Sequence, residues 1–247
     1  MIASEEWMNS YIENEMNLIS PVDLNKYFES EELNGNKINV INIGKCDLPT
    51  GEIVVCDPLV ELEERTCPAF CTTVEPGTYN VEIAVVEDAE EEDFFHYIAT
   101  RMILTDKRPV KFVEALTGEE DLTGKTPDSY FGFGVESGLA CFADKQSQEE
   151  FHKFSHDFYE DINNKNIFDG FFNPQLIESY KNHPEFQSDD GDYAIIPMPY
   201  SENRIAVFSA GYGEGVYPVY FGIDKNNQIS QLVIHFIDIE EDFAEEE

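Results

Sequence analysis

The chain predicts an α+β fold: mainly antiparallel β, sandwich-like or in a strongly curved sheet, with about four flanking helices. Three observations carry this expectation. Strand-like alternation comes in runs instead of alternating with helices, which disfavours a parallel sheet. Hydrophobic residues make up 42% of the 247 positions, with 19 phenylalanines among them, enough for a substantial core. Two glycine-rich stretches, Tyr130 to Asp144 (YFGFGVESGLACFAD) and Phe208 to Asp224 (FSAGYGEGVYPVYFGID), each run into an apolar segment. Glycines so spaced mark sharp turns, bulges or close backbone approach in a curved sheet.

Residues 1–36 read as an N-terminal helical arm. Ser4 is a candidate N-cap, and Glu5 and Glu6 suit the positive end of a helix dipole. Trp7, Met8, Tyr11, Ile12, Leu18 and Ile19 recur at helical spacing. Pro21 opens a second short helix, with Val22, Leu24, Tyr27 and Phe28 on its buried side. Glu29 to Glu32 and Asn34-Gly35-Asn36 then read as a loop.

Residues 37–247 read as a single mainly-β domain with a helical insertion at about 147–182. Period-two alternation begins at Ile38, and GEIVVC (Gly51 to Cys56) is a strand stopped by Asp57-Pro58. Tyr79, Val81, Ile83 and Val85 alternate cleanly, and with Phe94 to Leu104 they form a long hairpin whose tip is acidic. Val110 to Leu116 adds another strand. Ser147-Gln148-Glu149-Glu150 matches a capping box, followed by Phe151, Phe154, Phe158 and Ile162 as a helix core face. A second helix runs from Asn173-Pro174 to Asn182. Strands return at Tyr193 to Met198, Ile205 to Phe208, Val216 to Ile223 and Ile229 to Ile237, with Asp224 to Gln228 as a hairpin turn.

Charge dominates the surface chemistry: 51 acidic residues against 15 basic ones leave a net −36. Such a field repels nucleic acid and anionic membrane while attracting basic proteins and divalent cations. The acidic N-terminus lacks the cationic and apolar regions of a signal peptide, and no apolar run approaches membrane-span length. With five irregularly spaced cysteines, the expectation is a cytoplasmic protein with free thiols.

Several motifs fall short on their chemistry. Gly118 to Thr126 resembles a phosphate loop, but its glycines are one residue too far apart, and Glu119, Glu120 and Asp121 would repel phosphate. Neither glycine stretch precedes a helix, as a dinucleotide fingerprint requires. Gly-x-Ser-x-Gly is absent, Ser137 and Ser209 have no neighbouring histidine, and His235 within an apolar strand reads as a core residue. His152 and His156 lie four apart on one helix face and could join Cys67 and Cys71 around zinc, although a three-residue gap containing proline is a weak signal.

Five pieces in order carry a family resemblance: GEIVVCDPLV (Gly51 to Val60), PGTYNVEIAV (Pro76 to Val85), FGFGVESGLACFAD (Phe131 to Asp144), FSAGYGEGVYPVYFGID (Phe208 to Asp224) and LVIHF (Leu232 to Phe236). From about Gly51 onward the chain resembles a bacterial family, domain of unknown function 4241. The resemblance implies a single bacterial domain and brings no activity or catalytic residues with it. In that family aspartate often stands where Glu136 and Glu214 stand here.

The first functional reading is an acidic cytoplasmic binding protein that needs no cofactor. It is plausible as an immunity protein or antitoxin that neutralises a basic toxin such as a nuclease. Acids that mimic phosphate would cover a cationic active site. The contact candidates are Glu87, Asp88, Glu90, Glu91, Glu92 and Asp93 at the hairpin tip. The alternative is a hydrolase or transferase dependent on Mg²⁺ or Ca²⁺, with ligands drawn from Asp57, Glu82, Glu136, Asp144, Glu214 and Asp224. A third reading is a structural module whose glycines only shape the sheet. Self-repulsion at −36 predicts that the melting temperature rises with moderate salt; a flat salt response in thermal melts would mean the acids are already compensated.

Overall fold

The computed structural model describes residues 3–87, 95–161 and 166–242. The chain opens with α1 (Glu5–Asn14), a 3-10 turn (Glu15–Leu18) and α2 (Lys26–Glu29). Then come β1 (Glu32–Leu33), β2 (Asn36–Leu48), β3 (Ile53–Cys56), a π-helical turn (Pro58–Leu62), β4 (Gly77–Glu87), β5 (Phe95–Ile103) and β6 (Pro109–Glu114). Next are β7 (Phe133–Val135), β8 (Leu139–Asp144), α3 (Lys145–Asp161), a second π-helical turn (Phe168–Phe172) and α4 (Asn173–Asn182). The chain continues with β9 (Tyr193–Pro197), β10 (Arg204–Ser209), β11 (Gly215–Tyr217), β12 (Val219–Asp224), β13 (Ile229–His235) and α5 (Ile239–Asp242).

The strands form a seven-stranded sheet (β1-β2-β4-β5-β13-β12-β6), a four-stranded sheet (β3-β8-β10-β9) and a two-stranded ribbon (β11-β7). Neighbours pair antiparallel throughout, so the fold is α+β with mainly antiparallel sheet. Period-two alternation in the four-stranded sheet builds three layers. Ile53 and Val55, Ala140 and Phe142, and Ala206 and Phe208 join a core with Ile83, Val85 and Ile98 of the large sheet. Their neighbours Val54, Cys56, Cys141, Ala143, Ile205 and Val207 face the other way, packing with Phe151, Phe158, Phe172 and Leu176 of the helical layer. Each large side chain so buried contributes about 1.5–3 kcal/mol.

The arm packs onto this body. Ser4 caps α1 by accepting the Trp7 N–H at 3.1 Å, and the Trp7 indole donates to the Glu120 carbonyl at 3.0 Å. The helical stripe is shorter than its spacing predicts. The chain tightens to a 3-10 turn after Asn14, leaving Met8 and Ile12 45% and 65% exposed. Trp7 and Leu18 meet Val113, Leu116 and Leu122, whereas Leu24, Tyr27 and Phe28 enter the main core.

Three further expectations change. Asn34-Gly35 is a hairpin turn, not a loop: φ values of +48° and +78° suit a primed turn and place Leu33 opposite Asn36. The run from Val216 to Ile223 splits at Pro218, which lacks an N–H, so β11 and β12 belong to different sheets. The capping box does not form. Asp144 already accepts the Gln146 N–H at 2.8 Å, so α3 starts early and the buried Ser147 hydroxyl has no partner. The β4–β5 hairpin is as read, although its tip from Asp88 to Phe94 lies outside the described residues.

Asp144 also accepts from the Thr50 N–H, the Thr50 hydroxyl and the Gly51 N–H. Asp144→Ala therefore strands several donors and removes the cap, and should lower stability by about 2–4 kcal/mol. Ser147→Ala, which removes an unpartnered hydroxyl, should be neutral or stabilising in the same denaturant titration.

Candidate functional site

The two glycine-rich stretches meet in space. Gly215 pairs with Val135, Val216 with Gly134 and Tyr217 with Phe133, so β7 and β11 form the two-stranded ribbon. Close approach requires glycine at 132, where a Cβ would lie 2.6 Å from the Tyr217 carbonyl oxygen. So short a ribbon needs outside support. At one end Glu114 accepts the Phe131 N–H at 2.8 Å. Glu114 itself pairs with Lys125 at 2.6 Å, their side chains only 3% and 2% exposed. Burial pushes the Glu114 carboxyl above its usual range, and Lys125 and the Phe131 N–H oppose that rise. At the other end, buried Asp57 accepts the Glu136 and Ser137 N–H groups at 2.9 and 2.7 Å, the Ser137 hydroxyl at 2.7 Å and the Leu59 N–H at 2.9 Å.

The six candidate metal-binding acids are dispersed among local tasks. Asp57, Asp144 and Asp224 are each occupied by backbone donors, Asp224 by the Asn226 and Gln228 N–H groups of its turn. Glu82 pairs with Arg101 at 2.7 Å. Glu136 and Glu214 are exposed, and one more step of the ribbon register sets them opposite each other. Among the described residues, one group of three His, Cys, Asp or Glu side chains brings its ligand atoms within 4.8 Å, and it is Cys56, Glu61 and Cys67. His152 and His156 touch edge to face, but His152 Nδ1 contacts the Glu63 carbonyl at 2.7 Å, and Cys71 packs in the Trp7 cluster. The false phosphate loop is built around its own carboxylate: Glu120 accepts the Thr117, Gly118 and Glu119 N–H groups. Of the hairpin-tip acids, Glu87 pairs with Lys37 at 2.8 Å, which holds its carboxyl below the usual range. Asp88, Glu90, Glu91, Glu92 and Asp93 lie outside the described residues.

Beside the ribbon lies a cleft of about 330 Å³ whose walls include Tyr130, Tyr217 and Tyr220, with Asp128, Asp238 and Asp242 at its margins. Among the described residues, no lysine or arginine lines it. Tyr130 is 51% exposed and donates its hydroxyl to the Val216 carbonyl at 3.3 Å, which leaves a ring face for a guest. At the back, the Tyr27 hydroxyl donates to Asp238 at 3.3 Å and lies 3.1 Å from His235 Nε2. Burial lowers the His235 pKa to about 4 against the pull of Asp238, and burial with Asp238 pushes the Tyr27 phenol far up. Periodicity gave no hint of this cleft, because Asp128 comes from the loop before the first glycine stretch and Asp238 and Asp242 from the acidic segment after β13.

A family model described as "Protein of unknown function (DUF4241)" matches residues 46–234. The chain belongs to that family. No curated protein and no solved structure matches it. The DUF4241 span holds the whole ribbon, both of its carboxylate supports and the three cleft tyrosines. His235, Asp238 and Asp242, which line the cleft, lie outside that span, as does Tyr27 behind them.

His235 gives a pH signature. Above about pH 6.5 it is neutral in both folded and unfolded chains; as pH falls, the unfolded chain takes the proton first. Its contribution is therefore lost between pH 6.5 and about 4, on the order of 3 kcal/mol in total. Denaturant titrations of wild type and His235→Gln should converge over this window, and parallel curves would refute the assignment.

Proposed function

We propose that this DUF4241 protein binds a basic protein, docking a cationic side chain of the partner in the tyrosine- and aspartate-lined cleft. The observation that carries the reading is the composition of that cleft: aromatic walls, acidic margins and, among the described residues, no lysine or arginine. A lysine or arginine stem would lie along Tyr130 and Val216, with its charge over a ring face and beside carboxylates. Such a contact is worth about 0.5–2 kcal/mol when desolvated, and the surrounding field raises the encounter rate.

The distribution of charge supports the same reading. Lys26, Lys37, Arg101, Lys107, Arg108, Lys111, Lys125 and Arg204 each lie within 4.0 Å of a carboxylate of this chain. Much of the positive charge is thus spent internally, and the outward field is negative. No helix of the described residues is long and apolar enough to cross a membrane. A cytoplasmic immunity protein or antitoxin that covers the phosphate-binding surface of a nuclease fits this profile, since a nuclease must be cationic where it holds phosphate.

The test begins with basic proteins retained from the native host at low salt and released at high salt. The identified partner is then titrated calorimetrically against Tyr130→Ala and the double variant D128N/D242N. A double variant on the helical layer, E149Q/E160Q, removes the same charge elsewhere. The cleft variants should weaken binding by about tenfold or more and the distant pair by far less. Equal weakening, or no retained basic protein, would refute cleft docking.

A further inference from the structure

We propose that Cys56, Glu61 and Cys67 form a binding site for a single thiophilic divalent cation of the Zn²⁺ class. The three ligand atoms, two thiol sulfurs and a carboxylate oxygen, already lie within 4.8 Å of one another. Tetrahedral zinc, with Zn–S of about 2.3 Å and Zn–O of about 2.0–2.2 Å, holds such atoms roughly 3.5–3.8 Å apart. The trio needs to draw in by about 1 Å at most.

Local backbone explains the convergence. Cys56 ends β3, Asp57 anchors the following segment to the ribbon, and the chain makes the π-helical turn of Pro58–Leu62. In that wider turn the Leu62 N–H donates to the Asp57 carbonyl, and the Thr66 N–H closes a similar ring onto Glu61. Together these rings bring Glu61 and the returning Cys67 back toward the strand end. Cys67 is fixed from two sides: its thiol donates to the Val55 carbonyl at 3.2 Å, and Gln148 donates to its own carbonyl at 3.0 Å. Gln148 is fully buried, so this support is a committed one.

The independent sign is Glu61. Its Oε2 is buried without any hydrogen-bond partner, in a protein where Asp57, Glu120, Asp144 and Asp224 are all amply satisfied. An unpartnered buried carboxylate oxygen is costly, and a cation beside it removes the cost. Glu61 and Cys67 also line a cavity of about 270 Å³ that Gly132, Phe133 and Gly134 wall on the ribbon side. Cys56 does not line it. An ion held by the trio would therefore have its fourth position toward the cavity, as in zinc sites that retain an exchangeable ligand. Cys141, whose sulfur is 3.6 Å from that of Cys56, stands behind the trio.

The probes are Co²⁺ and Zn²⁺, added to metal-free, reduced, full-length protein. One equivalent of Co²⁺ should produce a sulfur-to-cobalt charge-transfer band with tetrahedral d–d bands, and Zn²⁺ should displace it. Cys67→Ser should abolish most of the charge-transfer intensity, and Glu61→Gln should keep the band but weaken affinity at least about tenfold. Cys46→Ser and Cys71→Ser should bind as wild type does. Cys67 and Glu61 sit at the cavity wall, so both variants should fold; circular dichroism checks this, and Thr66→Ser serves as a silent control. Absence of a stoichiometric thiolate band in the wild type, or unchanged binding in folded Cys67→Ser and Glu61→Gln, overturns the site.

Discussion

The ribbon exists because two buried carboxylates hold its ends. Three residue pairs are too few to keep two strands together in water. Glu114 takes the Phe131 amide, two residues before β7, and Asp57 takes the two just after it. These acids solve the burial problem differently. Glu114 has a buried lysine as counter-charge, and removing either partner would leave a charge stranded at a cost of about 3–5 kcal/mol. Asp57 is met instead by four hydrogen-bond donors, three of them backbone amides.

The same device recurs across the molecule and changes how the net charge should be understood. Asp144 joins the loop after β2 to the start of α3, Glu120 organises the turn before Leu122, and Asp224 closes the β12–β13 hairpin. A share of the 51 acids is thus wiring, engaged by amides and hydroxyls, and not free surface. What remains outward is concentrated by the fold in one respect that matters. Asp128, Asp238 and Asp242 come from three separate positions in the chain to one aromatic cleft, where a low-dielectric wall strengthens their effect on a guest cation.

Much of the fold was legible because β-alternation is a local signal. Strands β4, β5, β10 and β13 stand close to where their periodicity predicts, and the Asp224 turn follows from its composition. Legibility failed where a local signal met a competitor. The Ser147 box was complete in sequence, but Asp144 sits at a strand end and reaches the first free amides sooner. Asn34-Gly35 carried a strong hairpin signal that the neighbouring acidic run obscured. The two glycine stretches stood out as related, but nothing local states that they pair across some eighty residues; the strand break that permits it hangs on one proline. The candidate sites were less legible still. Cys56, Glu61 and Cys67 match no regular ligand spacing, since a π-helical turn, not a standard helix or a knuckle, is what brings them together.

The ribbon also links the two proposed sites without any moving part. Tyr130, Val216 and Tyr217 line the tyrosine cleft, whereas Phe131 to Gly134 line the cavity over Glu61 and Cys67. Beyond Pro218 the division continues, with Val219 in one cavity and Tyr220 in the other, as strand alternation requires. One narrow sheet therefore forms a wall of both. A Cβ at the exposed Gly134 would meet nothing within 4 Å. Its partner Val216 is 56% exposed, an apolar surface beside acids. Gly132 is what lets the two stretches approach this closely, so the glycines that first mark the sequence allow one ribbon to wall both cavities.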